Sequence, residues 1–468
     1  MPCGQLDRRR VGHRCAPCKK SHIKCDGGRP CSSCVTRGSE CTTSKASSNF
    51  LFVPQGGPSR IPRTLIQDSW RYISTYFQAM GSLMQASVLR GAAVIALSHE
   101  DENVSRTLSI VGALYGCRNP QVLHINAKER RKVMNTWLRQ RSLIELELKK
   151  PEVARFTPIF ISAMLLAVVE LMLCQEDGRF QTWLSRISMF LKAYSKSQPA
   201  SAWTPFERDL VRFFKFLDIL SAIARVENPV EPQVLPEPWP ARPLMLEPAG
   251  RVVTGPSLES RILDGLLSSM WQWANLQPRV VAWISKIEAH KLLPQKEADV
   301  SKEFIDLKVQ GLDIVCEVTS LQSRMIANLI QLSEGPQDGV SASVSPYYNW
   351  ALTGLSHMFQ HDAWQSLMCD LPVMSDEVLH QQALAVLGHV EEMIDKLGLD
   401  LALFLPFADF VGWEMVTAAE KQRMLKFLDT VQSRGFNVAD EFKVYLLGNW
   451  QPNQPQASQK LLGKIKCL

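Results

Sequence analysis

The sequence predicts a small cysteine-rich domain followed by a mostly all-α region. Two observations support this division. Six of the 12 cysteines fall between Cys15 and Cys41. From about Leu65 onward, apolar residues recur at the three- and four-residue spacing of helices, and the period-two alternation that is typical of a sheet is missing.

The cysteine spacing is typical of a structural metal site. It reads C-x2-C-x6-C-x5-C-x2-C-x6-C, in two near-identical halves. A two-residue gap lets two sulfurs bind one tetrahedral zinc from a tight turn. Six thiolates are too few for two separate four-thiolate sites, but they suffice for two zinc ions that share two bridging ligands. The predicted ligands are Cys15, Cys18, Cys25, Cys31, Cys34 and Cys41.

Disulfide bonds between the same six cysteines are the alternative. The segment before Cys15 argues against them, because it is polar and basic and has no apolar signal sequence. A reducing compartment, and therefore metal binding, is the better prediction.

Positive charge is concentrated in the same segment. Residues 1–45 carry ten Lys and Arg against three Asp and Glu, while the whole chain has a formal net charge of +6. Between Cys18 and Cys25 the residues are mostly basic, and we predict a short helix there. Such charge on one small metal-binding module is typical of phosphate binding. A solvated basic face is the alternative reading of the same charges.

With these cysteines and lysines, residues 11–42 resemble the fungal zinc binuclear cluster, the six-cysteine, two-zinc DNA-binding domain of fungal transcription factors. The resemblance implies two short helices around a two-zinc, six-thiolate centre. It also implies that Cys15 and Cys31 bridge the two metals. The remaining ligands complete the two sites in sequence order, Cys18 with Cys25 and Cys34 with Cys41.

The same resemblance implies that the helix between the second and third cysteines enters the major groove of DNA at a CGG-like triplet. One departure is present. Ser21 and His22 stand where the family most often has two consecutive basic residues, and this leaves the base preference open. The residues that we expect at the DNA are Arg14, Lys19, Lys20, Ser21, His22 and Lys24.

A linker is predicted at residues 43–61, which are polar and rich in small residues. Many members of the family dimerise through a short coiled coil at this place, but apolar heptads are missing here. A homodimer through the helical region is left open instead.

The helical region is predicted in two parts, residues 62–227 and 257–449. A proline-rich loop at 228–256 separates them, because its eight prolines each remove a backbone donor and exclude a regular helix. The tail, residues 450–468, has the composition of a disordered segment.

One helix can be placed closely from its apolar spacing. Val104, Leu108, Val111 and Tyr115 recur at helical intervals, and Gly116 is the predicted stop.

Two apolar segments require a choice between readings. Ile159–Cys174 is the most apolar run, but it is shorter than the ~20 residues of a membrane span and contains Glu170. We therefore predict a buried central helix. The acidic and apolar segment Leu397–Met415 is either an activation segment or a set of packed helices, and packed helices are the commoner case.

Sequence motifs of an enzyme are missing from the large region. His357 and His361 lie one turn apart, but Met358 stands where a zinc protease places its glutamate. A glycine-rich phosphate loop and a nucleophile elbow are also missing. Four scattered cysteines are predicted to be small core residues: Cys117, Cys174, Cys316 and Cys369.

These observations predict a nuclear, zinc-dependent, sequence-specific transcription factor that regulates RNA polymerase II transcription and is not an enzyme. Its predicted partners are double-stranded DNA and the transcription machinery or co-regulators, without a membrane. The first alternative is a zinc-stapled protein-interaction or architectural factor that does not read bases. The second is an enzyme that carries an appended zinc domain.

Overall fold

The computed structural model describes most of the helical region and part of the cysteine-rich segment. The described residues are 15–21, 23, 25–26, 30–41, 63–81, 86–149, 155–174, 179–198, 202–229, 258–291, 302–334 and 339–451. The chain divides into two compact units, residues 1–62 and 63–468. The linker, almost all of the proline-rich loop and almost all of the tail lie outside the described residues, so the predicted domain boundaries stay predictions.

The cysteine-rich unit contains two one-turn helices, α1 (Ala16–Lys20) and α2 (Ser32–Thr36). Each begins directly after the first cysteine of a C-x2-C pair, so that one helical turn carries both sulfurs of the pair to the same side. The two helices are also followed by the same kind of backbone hydrogen bond. The backbone N–H of Ile23 donates to the carbonyl of Cys18, and that of Ser39 donates to Cys34, both at 3.1 Å.

The first helix lies earlier in the sequence than we predicted. We placed the helix between Cys18 and Cys25, but it starts at Ala16 and ends at Lys20. Cys18 therefore lies on the helix itself, and Cys15 lies directly ahead of it.

The described part of the helical unit consists of fourteen α-helices and three 3-10 helices and contains no β-strand, which confirms the predicted all-α class. The α-helices are α3 (Arg63–Ala79), α4 (Ala92–Glu100), α5 (Glu102–Arg118), α6 (Ala127–Glu147), α7 (Phe156–Leu173), α8 (Arg179–Ser197), α9 (Pro205–Arg225), α10 (Leu258–Lys291), α11 (Lys302–Glu334), α12 (Gly339–His357), α13 (Asp376–Met393), α14 (Phe410–Trp413), α15 (Ala418–Ser433) and α16 (Val438–Asn449), with 3-10 helices at Ala86–Leu89, Asp362–Leu367 and Leu399–Ala408.

Local sequence fixes several of the helix starts. Three helices, α6, α9 and α15, begin with a capping box, in which two otherwise unpaired backbone N–H groups are satisfied reciprocally by side chains. The pairs are Asn126 with Glu129, Thr204 with Glu207, and Thr417 with Glu420.

Helix α5 confirms the predicted apolar positions and corrects the predicted end. Its four predicted apolar residues are all buried. The helix continues past Gly116 to Arg118, so Gly116 is not a stop. A Cβ at Gly116 would lie 2.8 Å from a side-chain carbon of Leu123, and glycine therefore serves close packing at this position.

The apolar run is a buried helix. Helix α7 is long and apolar enough to cross a membrane by length and composition alone, but 78% of its apolar window is buried inside the protein. Its Glu170 is also buried, and the indole N–H of Trp183 donates to this carboxylate at 3.3 Å. The prediction of a central core helix is therefore confirmed.

The helices before and after the proline-rich loop share one hydrophobic core. Helix α9 packs on α10, and Arg212 of α9 donates to Asp264 of α10 at 3.0 Å. Deeper in the core, Phe216 of α9 meets Tyr347 of α12 edge to face, with ring centroids 5.1 Å apart. The two predicted parts of the helical region thus fold as one body.

The acidic and apolar segment lies in the same core. Its aromatic rings pack on tryptophans of α10 and α12: Phe410 lies 5.6 Å from Trp273, and Phe407 lies 5.3 Å from Trp350, between ring centroids. This is the packing that the commoner reading of the segment predicted.

Of the four scattered cysteines, Cys174 packs against the hydrophobic core, and the other three do not match their prediction as core residues. Cys117 and Cys174 are only partly buried, and Cys316 and Cys369 are exposed. For Cys316 of α11 the apolar neighbours in sequence misled the prediction, because a helix that is apolar on one face still exposes the other. Cys369 lies in no helix.

Close backbone contact between α3 and α5 gives a test of the core. A Cβ at Gly112 would overlap the carbonyl of Tyr72 and lie 2.9 Å from the backbone nitrogen of Tyr76. We expect Gly112→Ala to lower the free energy of unfolding by about 2 kcal/mol or more, because two backbones would have to separate.

The matched control is Gly388→Ala in α13, where the nearest atom is the flexible Arg423 side chain at 4.0 Å. Alanine is the better helix former there and should be neutral or stabilise by about 0.5 kcal/mol. Urea unfolding of both variants measures the difference, and equal stabilities would contradict the close contact.

Candidate metal centre

All six predicted ligands come together in the cysteine-rich unit. Their sulfurs form two groups of four, in each of which all sulfurs lie within 4.8 Å of one another. Cys15 and Cys31 belong to both groups. The first group is completed by Cys18 and Cys25, and the second by Cys34 and Cys41.

The distances between sulfurs fit a zinc tetrahedron. With Zn–S bonds of about 2.3 Å, the edge of a four-thiolate tetrahedron is about 3.8 Å. The two shared sulfurs, those of Cys15 and Cys31, lie 3.6 Å apart, Cys18 lies 3.6 Å from Cys31, and Cys25 lies 3.9 Å from Cys15. A disulfide needs about 2.05 Å between sulfurs, and all six cysteines are free. The donor set therefore fits two zinc ions that share a pair of thiolates.

Burial and backbone donors tune the thiols in opposite directions. Cys18 is fully buried, and this burial raises the pKa of its thiol. Cys41 is half-buried, and the backbone N–H of Cys31, 3.4 Å from its sulfur, lowers the pKa of the Cys41 thiol. Because zinc binds the thiolate, binding at this centre is accompanied by proton release.

The loop between the two halves is anchored at the start of α2. Cys31 stands at the N-cap of this helix and makes no side-chain capping bond there. Instead, the carboxylate of Asp26 accepts a hydrogen bond from the backbone N–H of Ser32 at 3.0 Å. The side chain of Asp26 thus supplies a cap for the helix that carries the second cysteine pair. Sequence reasoning missed this role of Asp26, because a capping side chain usually stands at the N-cap itself and Asp26 lies five residues ahead of it.

The predicted DNA-contacting residues are only partly within the described chain. Lys20 ends α1, and Ser21 follows it; both are exposed. Lys19 belongs to α1. The other three lie outside the described residues: Arg14, His22 and Lys24.

The histidine pair of the helical unit does not form a metal site. His357 is buried, and its Nε2 lies 2.9 Å from a carboxylate oxygen of Glu414. The Nδ1 of His361 instead accepts from the backbone N–H of Ala363 at 3.1 Å and caps a 3-10 helix. The two rings therefore serve different partners. Among the described residues, only the six cysteines form groups that can hold a metal ion.

The shared sulfurs give a test that separates bridging from terminal ligands. We expect the full chain to carry two zinc ions. Cys25→Ser, which changes one group only, should keep one zinc ion, whereas Cys15→Ser, which changes both groups, should lose both. The control is Cys369→Ser, because Cys369 is exposed and lies outside the cluster. Native mass spectrometry counts the metals, and a single zinc in the unchanged protein would exclude a bridged centre.

Comparison with known protein families agrees with this geometry. Residues 13–49 match the model of the fungal Zn(2)-Cys(6) binuclear cluster domain. No curated protein and no solved structure matches the chain. Domains of the matched family bind two zinc ions through six cysteines and are typically the DNA-binding domains of transcription factors. Residues 13–49 are therefore a fungal Zn(2)-Cys(6) binuclear cluster domain.

Proposed function

We propose that the protein is a nuclear, sequence-specific transcription factor that binds CGG-like sites in double-stranded DNA and regulates transcription by RNA polymerase II. The observation that carries the proposal is the pair of overlapping cysteine groups in a segment of the matching family. We propose the six cysteines as the ligands, with Cys15 and Cys31 as bridges. Bound zinc would hold the two helices in place, because so small a module depends on metal for folding.

Exposed positive charge supports DNA as the partner. Lys20 is exposed at the end of α1, next to exposed Ser21. Lysines at this position reach phosphates or base edges when the helix lies in the major groove. Arg14, Lys19, Ser21, His22 and Lys24 complete the proposed DNA-binding set.

The rest of the chain is proposed to act after DNA binding. The arginines ahead of Cys15 would serve nuclear import, and the helical unit would contact the transcription machinery or co-regulators. The linker sequence lacks the heptads of a coiled coil, so a homodimer would have to pair through the helical unit. An architectural factor that does not read bases is the alternative. Binding assays on CGG and scrambled probes, with and without chelator, distinguish these two functions. Equal affinity for the two probes would favour the architectural factor.

The role of Lys20 can be measured by salt dependence. Each phosphate contact that is lost lowers the salt slope of binding by about one. We expect Lys20→Ala to weaken binding and to reduce the slope by about this amount. Arg37→Ala is the matched control, since Arg37 is also exposed but follows α2 rather than α1. If Lys20→Ala leaves both affinity and slope unchanged, the end of α1 does not lie at the DNA.

His22 is expected to weaken base discrimination. A neutral imidazole offers one donor, whereas lysine offers a long cationic donor to guanine O6 and N7. We expect His22→Lys to improve affinity for a CGG probe by about 1 kcal/mol.

The ordinary histidine pKa of about 6.5 also predicts tighter binding of the unchanged protein at pH 6 than at pH 8, since protonation adds charge and a second donor. Titrations on CGG and scrambled probes measure both effects. If His22→Lys weakens CGG binding while the unchanged protein discriminates strongly between probes, His22 reads a different triplet and the family's base preference does not transfer to this chain.

A further inference from the structure

Helix α11 carries apolar side chains on two opposite faces. Its inner face packs in the core through Ile314, Val318, Leu321, Met325 and Leu332, all buried. Its outer face exposes five more large apolar side chains, by 42–56% of their surface. These are Ile305, Val309, Leu312, Ile326 and Ile330.

The exposed residues lie on one straight line of the helix. From Ile305 to Ile330, steps of four and three residues alternate without a break, and every residue at these steps is exposed. This line, the outer stripe, consists of Ile305, Val309, Leu312, Cys316, Thr319, Ser323, Ile326 and Ile330. The period is 3.5 residues, which is the repeat of a coiled-coil seam. At 1.5 Å per residue the stripe is about 38 Å long.

Such a stripe is unusual for a solvent-facing surface. The described chain exposes 19 large apolar side chains, and five of them lie on this one line. Apolar side chains that are scattered singly need no explanation, but apolar side chains that share one face of a helix indicate an interaction surface. Here they form two groups on one line, at 305–312 and 326–330, with three smaller residues between them. The 3.5-residue period adds that the partner is a helix, because side chains at this spacing pack into the holes of a second helix with the same period.

We propose that the outer stripe of a second copy of this chain packs on it. The partner helix must be about as long as the stripe and carry the same period. Among the described helices, none covers the stripe, since all eight positions are exposed. Elsewhere in the sequence, residues 228–256 contain eight prolines and residues 43–61 lack apolar heptads, so neither predicts a helix of this kind.

The stripe is also complementary to itself. Its two ends are apolar, and its middle is made of the smaller Cys316, Thr319 and Ser323. When two antiparallel copies meet about a two-fold axis at the centre of the stripe, the outer apolar residues face each other, Ile305 with Ile330 and Val309 with Ile326. Leu312 then faces the small Ser323, and Cys316 faces Thr319, which lets the helices approach closely at the centre. A two-fold contact of this kind uses the same patch on both subunits and closes without further growth.

The expected dimer is weak on its own. A single pair of helices is a small interface, and three of the eight positions of the stripe are Cys, Thr or Ser, which contribute little apolar burial. DNA that holds two copies side by side would raise their effective concentration and strengthen the contact. The inference thus deepens the proposed function and names the surface of the homodimer, but the contact itself does not require DNA.

Sedimentation velocity of the full zinc-loaded chain without DNA tests the proposal. We expect a concentration-dependent shift from monomer to dimer. In the double variant Val309→Glu and Ile330→Glu, charges enter both ends of the seam, and the dissociation constant should rise at least about tenfold. The matched control is Leu146→Glu with Val444→Glu, two exposed apolar side chains on other helices, of 60% and 72% exposure. This control should dimerise like the unchanged protein.

Two outcomes would overturn the proposal: an unchanged protein that stays monomeric at every concentration, or a stripe variant that dimerises as well as the control. If the double variant misfolds by circular dichroism, Thr319→Arg at the exposed centre of the stripe replaces it with the same expectation. Binding of a single CGG half-site is measured in parallel. A stripe variant should keep it, so loss of dimerisation with intact half-site binding concerns the stripe, and a failure of half-site binding in every version concerns the proposed function.

Discussion

Six thiols must satisfy two tetrahedral metals, and the first domain depends on this constraint. Four ligands per ion can be supplied only if two sulfurs serve both ions, and the structure brings Cys15 and Cys31 into both groups. So small a segment cannot bury enough apolar surface to fold by packing alone; Ile23 is the only large apolar side chain that packs against the cysteines in its described part. The thiolates therefore take the place of a hydrophobic core. Helix α1 starts directly after Cys15 and α2 directly after Cys31, so the positions of the two helices are set by these two cysteines.

The metal ligands and the all-α class could be predicted from the sequence. The ends of individual helices could not, because they depend on contacts with residues elsewhere in the fold. The repeated C-x2-C pattern indicated six metal ligands with two bridges, and the resemblance to the zinc binuclear cluster family implied which cysteine belongs to which group. The end of α1 could not be predicted, because it depends on one backbone bond from Ile23 to Cys18. Gly116 looked like a stop, since a glycine at a helix end is a usual signal, but Leu123 packs against it from a later part of the chain.

Helix α11 shows the same limit in another form. Periodicity reports that a helix has an apolar face, but α11 has two. Only the surrounding helices reveal which face is covered and which remains open. The cysteines failed for a related reason: Cys316 has apolar neighbours in sequence but belongs to the open face.

The two units differ in net charge. The segment 1–45 holds more net positive charge than the whole chain, so the remainder is close to neutral. In the proposed function, long-range attraction to nucleic acid would therefore come from the first unit. The helical unit, with little net charge, is suited to contacts that depend on shape and apolar surface.

The continuous core around the proline-rich stretch determines how this protein can be divided. Phe216 and Tyr347 come from opposite sides of that stretch and yet touch in the interior. A protease that cuts between residues 229 and 258 would leave two fragments held together by their shared packing, much as a nicked protein keeps its shape. A gene truncated at the same place would instead yield a fragment whose aromatic surface has lost its other half. Physical severance and genetic deletion at one position thus have opposite consequences for this chain.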